Sequence, residues 1–449
     1  MTTTALKRFA NRAGLDEHVV STLMFRGWSV LAGGASIFLL PLWLSPTQQG
    51  FYYTFTSVLG LQIFFELGLS QVVTQLVSRD IAHLSLTEAN HRLAGDEARI
   101  GRLASLTQLL NKWYLVASVL FAAGCGVAGG FFLAHRNQLP WQQWIGVWIA
   151  LVLCTAFNLT FTPKLALLEG TGQVGKVARL RFTQGVLGYV LLWLLLWLGG
   201  GLWVAMVIPF VSAITSWTWL RRNGQMLDWL DRLSFKREHR IAWRRDVLPF
   251  QWRIAVSWIS GFFIFYLFTP LVFAQRGAVE AGRLGMAMTV FTSVSTVGMS
   301  WVNAKIPTFS MLISRHERLA LNVLFKAVSL RSVAFVTVAS STIVLVAYAL
   351  TALQVPFMTR IASPAVLALL GVVCVGNAMV FAGASYMRAH GEEPMLPQSV
   401  TMGLATAAIA YFGSRFGVLA MVAMYAALNL FVGLPWTIAL LRNYYRRTR

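Results

Sequence analysis

The sequence predicts an all-α polytopic membrane protein with about 12 transmembrane helices, and three observations lead to that reading. Of its 449 residues, 57% are hydrophobic and 12% charged, with a mean hydropathy of +0.63. Soluble domains are about 45–50% apolar and about 25% charged, so a water-soluble fold could not hide this much apolar surface. The apolar residues come in blocks of about 20, the length of helix that crosses a ~30 Å hydrocarbon core. Within the blocks apolar and polar residues do not alternate as they do in membrane barrels, which leaves helices as the structure that satisfies its own backbone in lipid.

Taken in order, Lys7, Arg8 and Arg12 precede the first apolar block, about 23–44. That block is too long for a signal-peptide core and has no small-residue cleavage site nearby, so it reads as a retained span. The next five blocks fall at about 50–77, 113–134, 142–166, 180–199 and 202–220, and six more at about 250–274, 284–307, 332–352, 364–387, 398–413 and 417–441. The connections alternate between short, weakly charged segments and longer basic ones. The basic set and its flanks hold 28 of the 37 Lys and Arg residues. The short set holds Arg136, Arg276, Arg283, Arg360 and Arg415. By the positive-inside rule both termini face the cytoplasm of a bacterial inner membrane, and an even number of spans agrees.

The loop 221–249 divides the chain into an N-terminal six-helix bundle (1–224), a cytoplasmic amphipathic linker (225–249) and a C-terminal six-helix bundle (250–449). In the linker, Leu227, Leu230 and Leu233 fall near helical spacing, followed by Lys236, Arg237, Arg240, Arg244 and Arg245. That pattern suits a helix lying on an anionic leaflet as well as a plain connection between bundles. The halves echo one another. Arg26 and Pro41 in the first span match Arg253 and Pro270 in the seventh, and Phe55-Thr56-Ser57-Val58 recurs as Phe291-Thr292-Ser293-Val294. A parallel repeat of this kind suits two bundles rocking about a central cavity.

Charges inside a span cost roughly 2.5–3.5 kcal/mol each on insertion scales, so those present should reach water or each other. Arg26, Lys164, Arg253 and Lys305 lie inside spans, all nearer the basic ends. They fit a cationic pocket for an anionic headgroup; they also fit long side chains snorkelling to the interface. Glu66 is the one carboxylate well inside a span. It suits pairing with an arginine of a neighbouring helix or uptake of a proton during transport. Gln71, Gln75, Asn158, Thr160, Asn303, Asn377 and Asn429 could hydrogen-bond sugar hydroxyls or bond helix to helix. Gly126 and Gly130 have the GxxxG spacing of close helix packing.

Other chemistries lack their residues. Cys125, Cys154 and Cys374 all lie in apolar segments, and neither they nor the seven His residues show metal-ligand spacing, so no metal or cofactor is expected. Gly170, Gly175 and Lys176 satisfy GxxxxGK, but Val177 stands where a P-loop needs a magnesium-binding hydroxyl. The net charge of +21 is accounted for by cytoplasmic loops rather than by nucleic acid.

The stretch WSVLAGGASIFLLPLWLSPTQQGFYYTFTSVLGLQIFFELGLSQVVTQLVS, from Trp28 through Ser78, resembles the first two helices of Wzx-type polysaccharide flippases of the multidrug/oligosaccharidyl-lipid/polysaccharide (MOP) superfamily. LALLEGTGQVGKVARLRFTQ, 165–184, resembles the loop that joins helices four and five in those proteins. The resemblance implies translocation of undecaprenyl-diphosphate-linked oligosaccharide from the cytoplasmic to the periplasmic leaflet, for O-antigen or exopolysaccharide synthesis. It implies membrane lipids, a polysaccharide polymerase and a chain-length regulator as partners, and coupling to protons or sodium. On this reading Arg26, Arg253, Lys164, Lys305, Gln71 and Asn303 meet the diphosphate and sugar, and Glu66 couples the ion.

Besides a scaffold for an envelope-assembly complex with no transport of its own, two rival readings remain. One is an ion-coupled small-molecule exporter of the same superfamily. The other is a membrane glycosyltransferase or O-antigen polymerase. Of 16 Asp and Glu residues only Glu280 falls in an expected external loop, which leaves few groups for acid–base chemistry and argues against an enzyme.

Overall fold

The computed structural model describes residues 17–82, 84–87, 92–135, 138–390 and 394–447. The chain begins with α1 (Glu17–Trp43), α2 (Pro46–Leu59), α3 (Ile63–Glu66) and α4 (Leu69–Ile81). An antiparallel hairpin of β1 (Leu84–Thr87) and β2 (Arg92–Gly95) leads into α5 (Glu97–Ala134). Then come α6 (Trp141–Gly170), α7 (Val174–Trp197), α8 (Val204–Asn223) and the short α9 (Gln225–Arg232). The rest comprises α10 (Leu248–Phe265), α11 (Phe268–Arg276), α12 (Ala278–Asn303), α13 (Ile306–Ser314), α14 (Arg318–Ala352), α15 (Pro364–Ala389), α16 (Leu396–Phe416), α17 (Val418–Leu428) and α18 (Leu434–Arg447).

Each of the twelve expected spans falls on a helix, a helix pair or, for 50–77, the three helices α2 to α4. Among the described residues, eight spans are long and apolar enough to cross a membrane, and α2 to α4 make a ninth, bent by 42°. In α1 the apolar part, Gly27–Trp43, is shorter. α12 and α16 are diluted by hydroxyl and small residues. α14 reads as lipid-facing: its hydropathy window averages 2.2, yet only 17% of that window is buried inside the protein. Val338 and Leu345 on it are 66% and 68% exposed. A helix apolar all round needs an apolar surrounding. The fold is all-α and polytopic.

The helices form two compact units. The first comprises Leu61–Ala134 and Pro140–Ala255 with the chain up to Ser36; the second comprises Ile37–Gly60, His135–Leu139 and Val256–Arg449. In the first unit α6 packs on α4, α5 and α8, and α7 packs on α8. Trp148 of α6 lies against α5, where a side chain at Gly129 would run into its ring, and its Nε1 donates to the Gly126 carbonyl at 3.1 Å. The tightest approach is therefore at Gly129, one residue away from the Gly126–Gly130 spacing that the sequence suggested.

The linker is held to this unit. Met226, Leu227 and Leu230 are buried, with α9 packed on α5. Gln108 donates to the carbonyls of Asp231 (2.8 Å) and Leu233 (3.1 Å), and the Ile241 N–H donates to Ser105 Oγ (3.1 Å). Arg102 lies 3.7 Å from both Asp80 and Asp246. The expected amphipathic helix forms, but its apolar face turns onto protein instead of a leaflet, because the first turns of α5 offer it a partner.

In the second unit α12 packs on α2, α14 and α15, and α15 packs on α14 and α17. The Ser45-Pro46-Thr47-Gln48 sequence starts α2 with a reciprocal cap: Ser45 Oγ accepts from the Gln48 N–H at 3.2 Å, and Gln48 Oε1 accepts from the Ser45 N–H at 3.0 Å. Gly50 of α2 meets Gly282 of α12, and a side chain at Gly50 would strike the Ala278 carbonyl. The repeated Phe55–Val58 and Phe291–Val294 segments thus lie on two packed helices, with Phe55 and Phe291 both buried.

Three arginines of the short connections bind backbone carbonyls. Arg276 donates to those of Ser414 (2.9 Å) and Arg415, Arg283 to that of Thr359 (2.9 Å), and Arg360 to those of Pro41 (2.9 Å) and Leu44 (2.8 Å). Carbonyls at a helix C-terminus lack intrahelical partners and carry the negative end of the dipole, so a guanidinium satisfies both needs.

Candidate functional site

The second span is broken in its middle. Leu67 (φ 51°) and Gly68 (φ 64°) are both left-handed. Glycine adopts that conformation freely, whereas a leucine there costs roughly 1–2 kcal/mol. The break ends α3 at Glu66 and starts α4 at Leu69. Ser70, in the first turn of α4, donates its hydroxyl to Glu66 Oε1 at 2.5 Å. The carboxylate is thereby held at the amino end of α4, where the helix dipole favours negative charge.

Other groups of the first unit surround this point. The fully buried Tyr114 of α5 is within electrostatic range of Glu66. Arg181 of α7 pairs with Glu169 of α6 at 2.8 Å and also acts electrostatically on Glu66. The false P-loop lies between these two partners. α6 ends at Gly170, Gly172 (φ 85°) reverses the chain, and α7 begins at Val174. The glycines make a helical hairpin, and Glu169 and Arg181 pair across it.

The predicted residues divide between the units. Lys164 follows Pro163 in α6 and is half-buried. Its helix is tied to α4, where Thr74 donates to the Ala166 carbonyl (3.2 Å) and Ser78 to the Gly170 carbonyl (3.2 Å). Gln71 and Gln75 of α4 are exposed. Arg253 is exposed on α10, its guanidinium 5.7 Å from the Trp252 ring centre. Lys305 and Asn303 are exposed where α12 gives way to α13. Arg26 lies in α1, but its side chain is outside the described residues, as are Lys7, Arg8, Arg12 and Arg136.

The structure brings Glu66, Ser70, Tyr114 and Arg181 together, and joins the helix of Gln71 to the helix of Lys164. Four asparagine and threonine candidates bond within the helical framework. Asn158 donates to the Pro209 carbonyl (2.8 Å), Asn429 donates to Asn377 Oδ1 (2.8 Å), and Thr160 donates back to the Phe157 carbonyl (2.7 Å). Among the described residues no group of three or more His, Cys, Asp or Glu side chains is placed to hold a metal.

Solved structures give the fold its context. The chain superposes over 96% of its length on 98% of an inward-facing multidrug resistance MATE family transporter of the MOP superfamily, with 16% identity and a TM-score of 0.65. It covers 95% of its own length and 87% of the lipid II flippase MurJ in an inward closed conformation (11% identity, TM-score 0.62). A MOP superfamily transporter from Pyrococcus furiosus matches over 94% of both chains (14% identity, TM-score 0.53). The chain has the fold of these MOP transporters. No protein-family model matches the sequence, and no curated protein matches it either. On the MOP fold, the break at Leu67-Gly68 and the Glu66 cluster are features that sequence reading located only in part. Gly68 inside an apolar block was the signal for the break, and Glu169 and Arg181, flanking a glycine turn, were the signal for the ion pair.

Proposed function

We propose that the protein is a flippase that carries an undecaprenyl-diphosphate-linked oligosaccharide from the cytoplasmic to the periplasmic leaflet of a bacterial inner membrane by alternating access. The observation that carries this reading is the full-length likeness in fold to transporters that include a lipid II flippase. The Wzx-type resemblance of 28–78 and 165–184 supports the polysaccharide class. The lipid's diphosphate is anionic and its sugar head cannot enter hydrocarbon. Alternating access of the kind seen in repeat-built transporters would shelter the head while the polyprenyl tail stays in the bilayer. Arginine suits diphosphate because its planar fork bonds two oxygens at once. We assign that role to Arg26 and Arg253, with Lys164, Lys305, Gln71 and Asn303 supporting it, and ion coupling to Glu66. Both termini lie in the cytoplasm, and the product leaflet hands the glycan to a polymerase and its chain-length regulator.

The test is deletion of the gene followed by leaflet-specific detection of the lipid-linked intermediate. A flippase leaves complete units on the cytoplasmic side. Ungrown units on the outer side would instead indicate a polymerase and end this reading. A second reading is an ion-coupled small-molecule exporter, favoured by the fold likeness to a multidrug MATE transporter. Under that reading drug sensitivity changes on deletion and the lipid-linked pool does not.

A further inference from the structure

The second unit holds a basic pocket that the transport reading does not use. Its volume is about 680 Å3, within the ~300–1,000 Å3 range of small-molecule sites. Arg318 and Lys326 of α14, Arg442 of α18, and His316 and His390 line it. No carboxylate lines it among the described residues. Lys326 and Arg442 are both exposed, so they are not held in place by burial.

The floor is rigid and aromatic. Tyr386 is 2% exposed and donates its hydroxyl to Asn322 Oδ1 at 3.0 Å. Its ring packs 4.5 Å from that of Phe325 and 5.5 Å from that of Tyr445, centre to centre. His390 donates from Nδ1 to the Tyr386 carbonyl at 3.0 Å, so Nε2 is the atom that can meet a ligand. The basic groups therefore surround an apolar, pre-formed base instead of dispersing over a solvated face.

The pocket's height in the membrane follows from α14. Its 35 residues make a helix of about 52 Å at ~1.5 Å per residue, well over a ~30 Å hydrocarbon core. Arg318 and Lys326 occupy its first three turns, the part that overhangs the core. Beside the pocket Leu319, Val323 and Leu330 are 85%, 69% and 71% exposed, an apolar strip that continues outward along α14. Cations at headgroup height next to a lipid-facing strip match an amphiphile with a phosphate head and an apolar body.

We propose that this pocket binds the phosphate of an anionic amphiphile, the phosphate approached by Lys326, Arg442 and Arg318 and the apolar part lying along Leu319 and Val323. The site is independent of which cargo the protein moves. The phosphate could belong to a bilayer lipid or to a soluble phosphate compound, and the experiment separates the two. Purified full-length protein is titrated with phosphatidylglycerol and with phosphatidylcholine by native mass spectrometry, and with inorganic diphosphate by calorimetry.

The variants are the Lys326→Ala/Arg442→Ala pair and, as an equal-charge control in the first unit, the Lys176→Ala/Arg237→Ala pair. Cations near an anionic headgroup contribute about 1 kcal/mol each, so the pocket pair should weaken binding by about 30-fold and the control pair by less than about twofold. Both pocket residues are exposed, so the fold survives their removal; an unchanged thermal melt checks this. Selective loss of phosphatidylglycerol binding in the pocket pair supports a lipid source. Saturable diphosphate binding lost in the same pair supports a soluble source. Equal loss in both pairs, undiminished binding in the pocket pair, or no preference of the wild type for either phosphate probe overturns the proposal.

Discussion

Arg360 offers the sharpest test of how the second unit is held together. Its Nη2 bridges the carbonyls of Pro41 and Leu44 at 2.9 and 2.8 Å, which ties the end of α1 to the connection before α15. Its own carbonyl accepts from Gln49 Nε2 at 2.9 Å, so the start of α2 is bound to the same residue. Arg360→Ala removes both guanidinium bonds and leaves the carbonyl bond intact. Hydrogen bonds to a charged group contribute about 1.5–3 kcal/mol each, and partial re-solvation of the two carbonyls reduces the joint loss to about 2 kcal/mol, or roughly 30-fold in a local opening equilibrium. Hydrogen exchange in lipid nanodiscs reads this directly. Amides of 41–50 should exchange roughly 30-fold faster, with little change in α6 of the first unit. Arg360→Lys should recover about half of the effect in free energy, because an ammonium lacks the planar fork. Unchanged exchange across 41–50 in Arg360→Ala would show that the guanidinium does not hold this corner.

Four further outcomes are expected. Gly50→Val drives a side chain into the Ala278 backbone at the α2–α12 crossing, and should cost about 3 kcal/mol or more and cut the yield of folded protein on size-exclusion chromatography. Leu230→Ala should lower stability by about 2–5 kcal/mol, read by denaturant titration, because α9 buries this residue against protein; an effect on vesicle affinity alone would restore the leaflet-bound helix. Glu66→Gln should flatten the pH dependence of transport while preserving expression, and a wild-type pH profile would remove Glu66 as the coupling group. The Arg26→Ala/Arg253→Ala pair should abolish export of the lipid-linked glycan at normal protein level, and normal export would remove the diphosphate assignment.

The spans were legible because lipid demands long apolar helices, and that demand is written residue by residue. Their ends were less so. α5 begins at Glu97 and α14 at Arg318, well before the apolar blocks at 113 and 332, because their first turns are amphipathic and hydropathy registers only the greasy part. The linker's Leu227 and Leu230 spelled an amphipathic helix, but an apolar stripe does not say whether lipid or protein will cover it. Glu66 stood out as a lone carboxylate. Its neighbours did not, since Tyr114 and Arg181 come from two other helices and are brought near it only by tertiary packing. Arg360 looked like an ordinary loop arginine, because the carbonyls it binds are more than 300 residues away in the chain. Asn158 and Asn429 were legible as polar groups within spans, while their partners, a carbonyl and another asparagine, were visible only in the fold.

Movement of a diphosphate-linked glycan between leaflets can be followed in a reconstituted bilayer. Purified protein would be placed in proteoliposomes carrying a fluorescent undecaprenyl-diphosphate oligosaccharide, and the fraction accessible to an external quencher followed over time. Protein-dependent exchange between leaflets is expected, slowing sharply in the Arg26→Ala/Arg253→Ala pair. Exchange no faster than in protein-free vesicles, under an imposed proton or sodium gradient as well as without one, would contradict the flippase reading.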